Sequence, residues 1–148
     1  MAADRVGLCY IDTSALIKRY VEEDGSDAFE AFCESPGLDG VVSPLGVTEF
    51  GSVLQRRRRT GELTQRHTSA MRQRLLADIS TGGWRIIDFE SDVFSTADHL
   101  LSDLGAPLST LDALHLACAL RHGAPAFATA DRQLATAARK AKLQVHLF

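Results

Sequence analysis

Val6-Gly-Leu-Cys-Tyr-Ile, then Asp12-Thr13-Ser14, then Ala-Leu-Ile-Lys-Arg-Tyr20 is the stretch whose reading decides the fold. Its first six residues carry almost no polar side chain, as a strand covered on both faces does. The period then changes to Leu16, Ile17, Tyr20 and Val21, a helical stripe. Asp12 is thereby placed at the carboxyl end of a parallel strand, where open α/β sheets bind their ligands. An Asp just ahead of an apolar-periodic run also serves as a helix N-cap. This stretch alone leaves both roles open.

Outward from it, strands and helices alternate. Gly25-Ser26 breaks the first helix, and Ala28, Phe29, Phe32 and Cys33 give a second short apolar face that Pro36-Gly37 ends. Residues 40–43 read as a brief strand, with Ser43 as N-cap and Pro44 as first residue of the next helix, whose apolar side carries Val47, Phe50, Val53 and Leu54. Thr60-Gly61 closes it. A further helix over 63–79 rests on Met71, Leu75 and Ile79, and Gly82-Gly83 stops it. Residues 84–89 read as a strand, and 91–104 as the clearest helix, with Val93, Phe94, Ala97, Leu100, Leu101 and Leu104 on one face. A helix over 110–122, a strand over 126–129, a helix over 131–140 and a strand over 143–147 complete the chain. The alternation predicts an α/β fold, five parallel strands with helices on both faces. Right-handed crossovers put the strand ends after Ile11, Val42 and Thr129 along one edge.

Hydrophobic residues make up 45% of the chain and charged residues 24%, a globular composition read here as one domain over residues 1–148. No run approaches the ~20 apolar residues of a membrane span, and the first residues show no signal-peptide pattern, so the expected location is cytoplasmic. Cys9, Cys33 and Cys118 are widely spaced in apolar surroundings and read as small core residues in a reducing compartment. The net charge of −3 conceals an uneven distribution: residues 20–55 hold eight acids and no Lys or Arg, whereas Arg56, Arg57, Arg58 and Arg59 stand together. Cations at a helix end complement its dipole. Four in succession point around most of a helix, so some face outward, where they meet phosphate.

Four carboxylates stand out by context: Asp12 after the first strand, Glu49 in the helix after the second, Asp112 at the start of a late helix and Asp131 after the fourth strand. Asp131 also suits an N-cap, and Asp112, three residues after Ser109, suits the acid of a capping box. Glu49 lies too far into its helix to cap it. Carboxylates gathered in one crevice repel one another unless a cation or protons intervene. Hard oxygen ligands favour Mg²⁺ or Mn²⁺, and such a centre implies phosphodiester hydrolysis.

These residues resemble the PIN-domain ribonucleases and, among them, the VapC-like toxins of prokaryotic toxin–antitoxin pairs. The resemblance spans the chain and rests on Tyr-Ile-Asp12-Thr-Ser14-Ala-Leu, Ser-Pro-Leu-Gly-Val-Thr-Glu49-Phe, Leu-Asp112-Ala-Leu-His-Leu-Ala-Cys-Ala and Ala-Thr129-Ala-Asp131-Arg-Gln-Leu. It implies a three-layer fold with strand order 3-2-1-4-5 and about seven helices. It further implies an acidic cluster of Asp12, Glu49, Asp112 and Asp131 for Mg²⁺ or Mn²⁺, supported by Ser14 and Thr110. RNA as substrate, a homodimer and an antitoxin partner are expected on the same ground. His115 is read as a packed histidine rather than a general base, and Trp84 and Tyr10 as core.

Two other readings compete. An aspartyl-phosphate phosphatase with Asp12 as nucleophile wants a second Asp two residues on, where Ser14 stands. A PIN-like module that binds RNA or protein without catalysis needs no intact quartet of acids. For the antitoxin, the expected groove lies at Leu16 to Tyr20 and Phe29 to Cys33, apolar helices edged by Glu22, Glu23, Asp24, Asp27, Glu30 and Glu34 without a nearby cation.

Overall fold

Twelve segments follow one another in the computed structural model, which describes residues 5–148. The first four residues, included above in the reading of an absent signal peptide, lie outside the described residues. The strands are β1 (Gly7–Ile11), β2 (Leu38–Val42), β3 (Arg85–Ile86), β4 (Ala126–Thr129) and β5 (Gln144–Leu147). The helices are α1 (Thr13–Leu16), continued by a 3-10 turn over Ile17–Arg19, α2 (Ser26–Cys33), α3 (Pro44–Arg59), α4 (Gln65–Ser80), α5 (Asp92–Asp103), α6 (Thr110–Arg121) and α7 (Arg132–Lys140). All strands pair in parallel, in the order β3-β2-β1-β4-β5, so β1 lies at the centre.

Successive strand residues point to opposite faces, and both faces of β1 are covered. Cys9 and Ile11 pack with Leu16, Phe29, Phe50 and Trp84 on one side. Tyr10 packs with Leu116, Cys118 and Phe127 on the other. Each fully buried side chain of the size of Phe50 or Leu116 contributes about 1.5–3 kcal/mol, and this two-sided burial is why the opening stretch reads as one apolar run.

Three elements differ from the sequence reading. The first helix was expected to run on through Val21, but α1 gives way to the 3-10 turn, and both Tyr20 N–H and Val21 N–H bond back to the Ile17 carbonyl. The turn lets Tyr20 reach Asp78 Oδ2 and accept the Trp84 indole N–H at 2.8 Å. The strand expected over 84–89 shrinks to two paired residues, because Trp84 turns inward over Gly40, where a Cβ would stand 2.6 Å from its ring, and because β2 ends at Val42, whose carbonyl takes the Ile87 N–H at 2.9 Å. The brief strand expected at 40–43 begins earlier, at Leu38, and Ser43 leaves it to cap α3. Among the described residues no helix is long and apolar enough to cross a membrane.

The register fixes where chemistry sits. Ile11 pairs with Ala128, and the Asp12 N–H bonds the Ala128 carbonyl at 2.9 Å, so the chain leaves β1 and β4 side by side at their carboxyl ends.

Candidate active site

Asp12 occupies the N-cap position of α1, yet its side chain makes no capping bond. Its carboxylate turns instead into the gap beyond the strand ends, where Oδ2 accepts the hydroxyls of Ser14 at 2.6 Å and Thr129 at 2.9 Å. Those hydroxyl oxygens are themselves fixed by the β4–α7 backbone: Ser14 Oγ accepts the Ala130 N–H and Thr129 Oγ1 the Asp131 N–H. The capping role left open for Asp12 therefore does not hold, and Asp12 is a buried, twice-bonded carboxylate.

Asp131 does both things. Its Oδ1 accepts the N–H groups of Gln133 and Leu134 at 2.8 and 3.1 Å, capping α7, and the residue still lines the same cleft. Asp112 stands in the first turn of α6, whose cap is the Ser109 hydroxyl bonded to the Asp112 N–H. Burial raises its pKa, and the negative fields of Asp12 and Asp131 raise it further, against a bond from Ser109. This repulsion among the acids is the conflict a cation relieves.

Glu49 projects from α3 into the same place because Ser43 caps that helix and Pro44 starts it, fixing its direction. Burial pushes its pKa up, but the bond and charge of His115 together with the Thr13 hydroxyl outweigh that and hold it below the usual carboxylate range. Thr13 Oγ1 donates to Glu49 Oε1 at 3.2 Å, and His115 Nε2 meets the same oxygen. His115 also lies 3.6 Å from Asp12 Oδ1. Burial works against its charged form, yet Glu49, Asp12 and Asp112 prevail and raise its pKa.

The cleft has a volume of about 320 Å³ and is lined by all four acids together with Ser14, Thr13 and Glu23. Arg56 and Arg57, seven and eight residues and so about two turns of α3 beyond Glu49, line it as well. Arg58 bonds Gln65 at 2.9 Å, and Arg59 is exposed; neither lines the cleft. Thr110 is exposed at the start of α6, and among the described residues its hydroxyl makes no hydrogen bond to the acids.

Donor atoms of Asp12, Glu49 and His115 lie within 4.8 Å of one another, and Asp112 and Asp131 face the same space. This oxygen-rich set, carrying unrelieved negative charge, fits a divalent cation. Histidine is the residue the sequence reading set aside. It is packed, as expected, at 1% exposure, but it is packed against Glu49. Its place one turn after Asp112 is the signal that finds it, since residues three apart share a helix face. Thr129, two residues before Asp131, carries no comparable sign of its bond to Asp12. Tyr10 and Trp84 are buried core residues, as read from the sequence.

The expected antitoxin groove is corrected by two observations. Phe29 and Phe32 are buried in the chain's own core, where they satisfy α2's apolar face. Two of the six acids beside them do have cations: Glu23 pairs with Lys18 at 3.2 Å and with Arg57 at 2.5 Å, and Glu30 pairs with Arg19 at 3.2 Å. Folding brings Arg57 in from α3, which a linear window does not reveal, whereas Lys18 and Arg19 already stand beside the acids in the sequence.

Among curated proteins none matches the chain. Among solved structures, VapC20 of Mycobacterium tuberculosis, described as a sarcin-ricin loop cleaving toxin, is 19% identical with a TM-score of 0.67, over 87% of this chain and 94% of that one. FitAcB of Neisseria gonorrhoeae is 18% identical with a TM-score of 0.69, over 93% and 96%. VapBC2 of Rickettsia felis, bound to a DNA fragment from its promoter, is 14% identical with a TM-score of 0.67, over 95% and 98%. At such identities these likenesses speak for the fold alone. The sequence itself matches the PIN domain model over residues 9–140, so the chain belongs to the PIN domain family.

Proposed function

We propose that the chain is a divalent-metal-dependent endoribonuclease, a single-domain cytoplasmic toxin whose partner is a cognate antitoxin and which acts as a homodimer. The observation that carries the nuclease reading is the convergence of Asp12, Glu49, Asp112 and Asp131 on one cleft whose wall also bears Arg56 and Arg57. Acids suited to a cation beside cations suited to phosphate match a phosphodiester substrate. Antitoxin pairing draws support from the solved neighbours, which include the VapBC2 complex and FitAB bound to DNA.

Asp12, Glu49, Asp112 and Asp131 would hold Mg²⁺ or Mn²⁺, which when bound acidifies water and offsets charge on the phosphate. The remaining work belongs to the chain. Ser14, Thr129 and Thr13 hold the carboxylates of Asp12 and Glu49 in fixed orientations, so these groups need no reorganisation as charge develops. Arg56 and Arg57 offer forked donors to a backbone phosphate. Contacts of this kind position the backbone without reading a base.

The test is cleavage of matched RNA and DNA oligonucleotides with Mg²⁺, with Mn²⁺ and with EDTA. Internal cuts in RNA leaving 5′-phosphate and 3′-hydroxyl ends, abolished by EDTA and by Asp12→Asn, are expected. Cyclic phosphate ends overturn the mechanism, because they require attack by the ribose hydroxyl. Expression with and without the adjacent reading frame tests the toxin role: growth arrest relieved by a co-purifying partner is expected.

A further inference from the structure

We infer that His115 is a positioning residue for Glu49, held in turn by the buried hydroxyl of Tyr10, rather than a ligand of the cation. The inference rests on the metal-dependent reading above and concerns how that site is kept in shape.

Both carboxylates nearest the strand ends are held in the same way. Glu49 Oε1 takes two side-chain donors, Thr13 from α1 and His115 from α6. Asp12 Oδ2 also takes two, Ser14 and Thr129. In each case one oxygen is committed to the protein, and the other accepts no hydrogen bond from the described residues, Asp12 Oδ1 lying 3.6 Å from His115 Nε2. A carboxylate pinned through one oxygen presents the second in a fixed direction, which suits monodentate binding of a small cation.

For His115 to ligate, Nε2 would have to give up its proton and its contact with Glu49. The contact with Glu49 opposes this, and the other side of the ring sets which protons are available. Nδ1 lies 2.7 Å from Tyr10 Oη, which lies 2.8 Å from Ser43 Oγ, and that oxygen accepts the Gly46 N–H at 3.1 Å. Run in one direction, the chain passes from Gly46 N–H to Ser43, from the Ser43 hydroxyl to Tyr10, and from the Tyr10 hydroxyl to Nδ1. Every buried hydroxyl hydrogen then has an acceptor, and the ring's only proton is on Nε2, aimed at Glu49. Run the other way, with a charged ring, Nδ1 donates to Tyr10, Tyr10 donates to Ser43, and Nε2 still donates to Glu49; a neutral ring with its proton on Nδ1 would instead set the Nε2 lone pair against the Glu49 carboxylate, a repulsion in place of a hydrogen bond. Tyr10 serves both arrangements because it is flanked by two groups able to donate or accept. Ser43, Gly46 and Glu49 all belong to the start of α3, so the chain ties that helix to β1 and α6 at the level of the cleft.

The test measures Mn²⁺ binding by calorimetry and pulsed electron paramagnetic resonance on the wild type, His115→Gln, His115→Asn and Tyr10→Phe. A glutamine amide reaches the place of Nε2 and donates there, whereas asparagine reaches only that of Nδ1. His115→Gln is expected to bind Mn²⁺ within about threefold of wild type and His115→Asn about 10–100-fold more weakly, the range typical of lost outer partners. Tyr10→Phe, whose ring stays stacked on Phe127 at 5.4 Å, is expected to lose affinity by about 3–10-fold. It decides the matter should His115→Asn fail to fold. Wild-type Mn²⁺ is expected to show no hyperfine coupling to a directly bound imidazole nitrogen.

Such a coupling overturns the inference, as does undiminished Mn²⁺ affinity in both His115→Asn and Tyr10→Phe. A wild-type chain that takes up no Mn²⁺ overturns it together with the metal reading itself. The expected pattern in a chain that cuts no RNA upholds the inference and removes the ribonuclease.

Discussion

Thr129 donates its hydroxyl to Asp12 at 2.9 Å and with the same oxygen accepts the Asp131 N–H at 3.0 Å, joining the acid after β1 to the one after β4. Thr129 is fully buried. Thr129→Val keeps the shape and removes the hydroxyl, leaving a backbone N–H without its acceptor and Asp12 with one donor fewer. The expected loss is about 1–3 kcal/mol of stability and about 10–100-fold of metal affinity or cleavage. Thr129→Ser is expected to restore most of both. Urea unfolding and single-turnover cleavage of the two variants check this.

Asp112 and Asp131 line one cleft but differ in what else they do. Asp131 caps α7 through two backbone N–H groups, so Asp131→Ala is expected to lose about 0.5–2 kcal/mol, lowering the melting temperature by about 2–6 °C. Asp112 is under the repulsion of Asp12 and Asp131. Asp112→Asn removes a charge from a crowded site, and in EDTA it is expected to melt no lower than the wild type. Both variants should lose at least about a hundredfold in cleavage rate if each acid serves the centre. Calorimetric scans in EDTA, paired with cleavage assays in Mg²⁺, separate the two roles.

The fold was legible where burial and period agree. The apolar run before Asp12 is a central strand because both faces of Cys9, Tyr10 and Ile11 are covered, and no polar residue is needed there. The length of β3 was not legible, because Ile86 and Ile87 read as strand while the inward turn of Trp84 onto Gly40 is a tertiary choice. At the site, acids announce themselves by standing at strand ends and on one helix face. Their supports do not: Thr13 and Thr129 are ordinary β-branched residues in sequence, and His115, though one turn from Asp112, meets Glu49 only when α6 and α3 are packed together. The pairing of Glu23 with Arg57 likewise joins residues that a local window reads as an acidic tract and a basic tract.

His146 carries a pH dependence distant from the cleft. Its Nε2 is buried without a hydrogen-bond partner among the described residues, its ring lies 4.8 Å from that of Phe32, and burial lowers its pKa below the ordinary 6.5. The unfolded chain therefore takes up this proton first as pH falls. Stability from the neutral ring is complete above about pH 6.5 and is lost progressively as pH drops from there through the folded-state value. His146→Phe removes the titrating group. Its denaturation midpoint is expected to change less than that of the wild type between about pH 7.5 and pH 5.5. Equal changes in both would place the acid sensitivity elsewhere.

The arginine block divides by geometry into two that line the cleft and two that do not. Arg56 is exposed at the cleft wall, whereas Arg57 is half-buried and shares Glu23 with Lys18. A freely exposed guanidinium releases counterions when it meets a phosphate, so Arg56→Ala is expected to weaken RNA binding across sequences and to reduce the salt slope by about one. Arg59→Ala, outside the cleft, is expected to leave both nearly unchanged. Arg57→Ala combines two effects, since it removes a cation from the wall and leaves Glu23 paired with Lys18 alone. Its loss of affinity is expected to exceed that of Arg56→Ala, because Glu23, left with Lys18 as one partner instead of two, adds a repelling charge at the cleft mouth. In the double variant Arg57→Ala with Glu23→Gln that excess should disappear, leaving a deficit close to that of Arg56→Ala. Filter binding to one RNA across a salt series measures all four. A salt slope identical in Arg56→Ala and wild type would remove Arg56 from the RNA path and leave its charge to complement the end of α3.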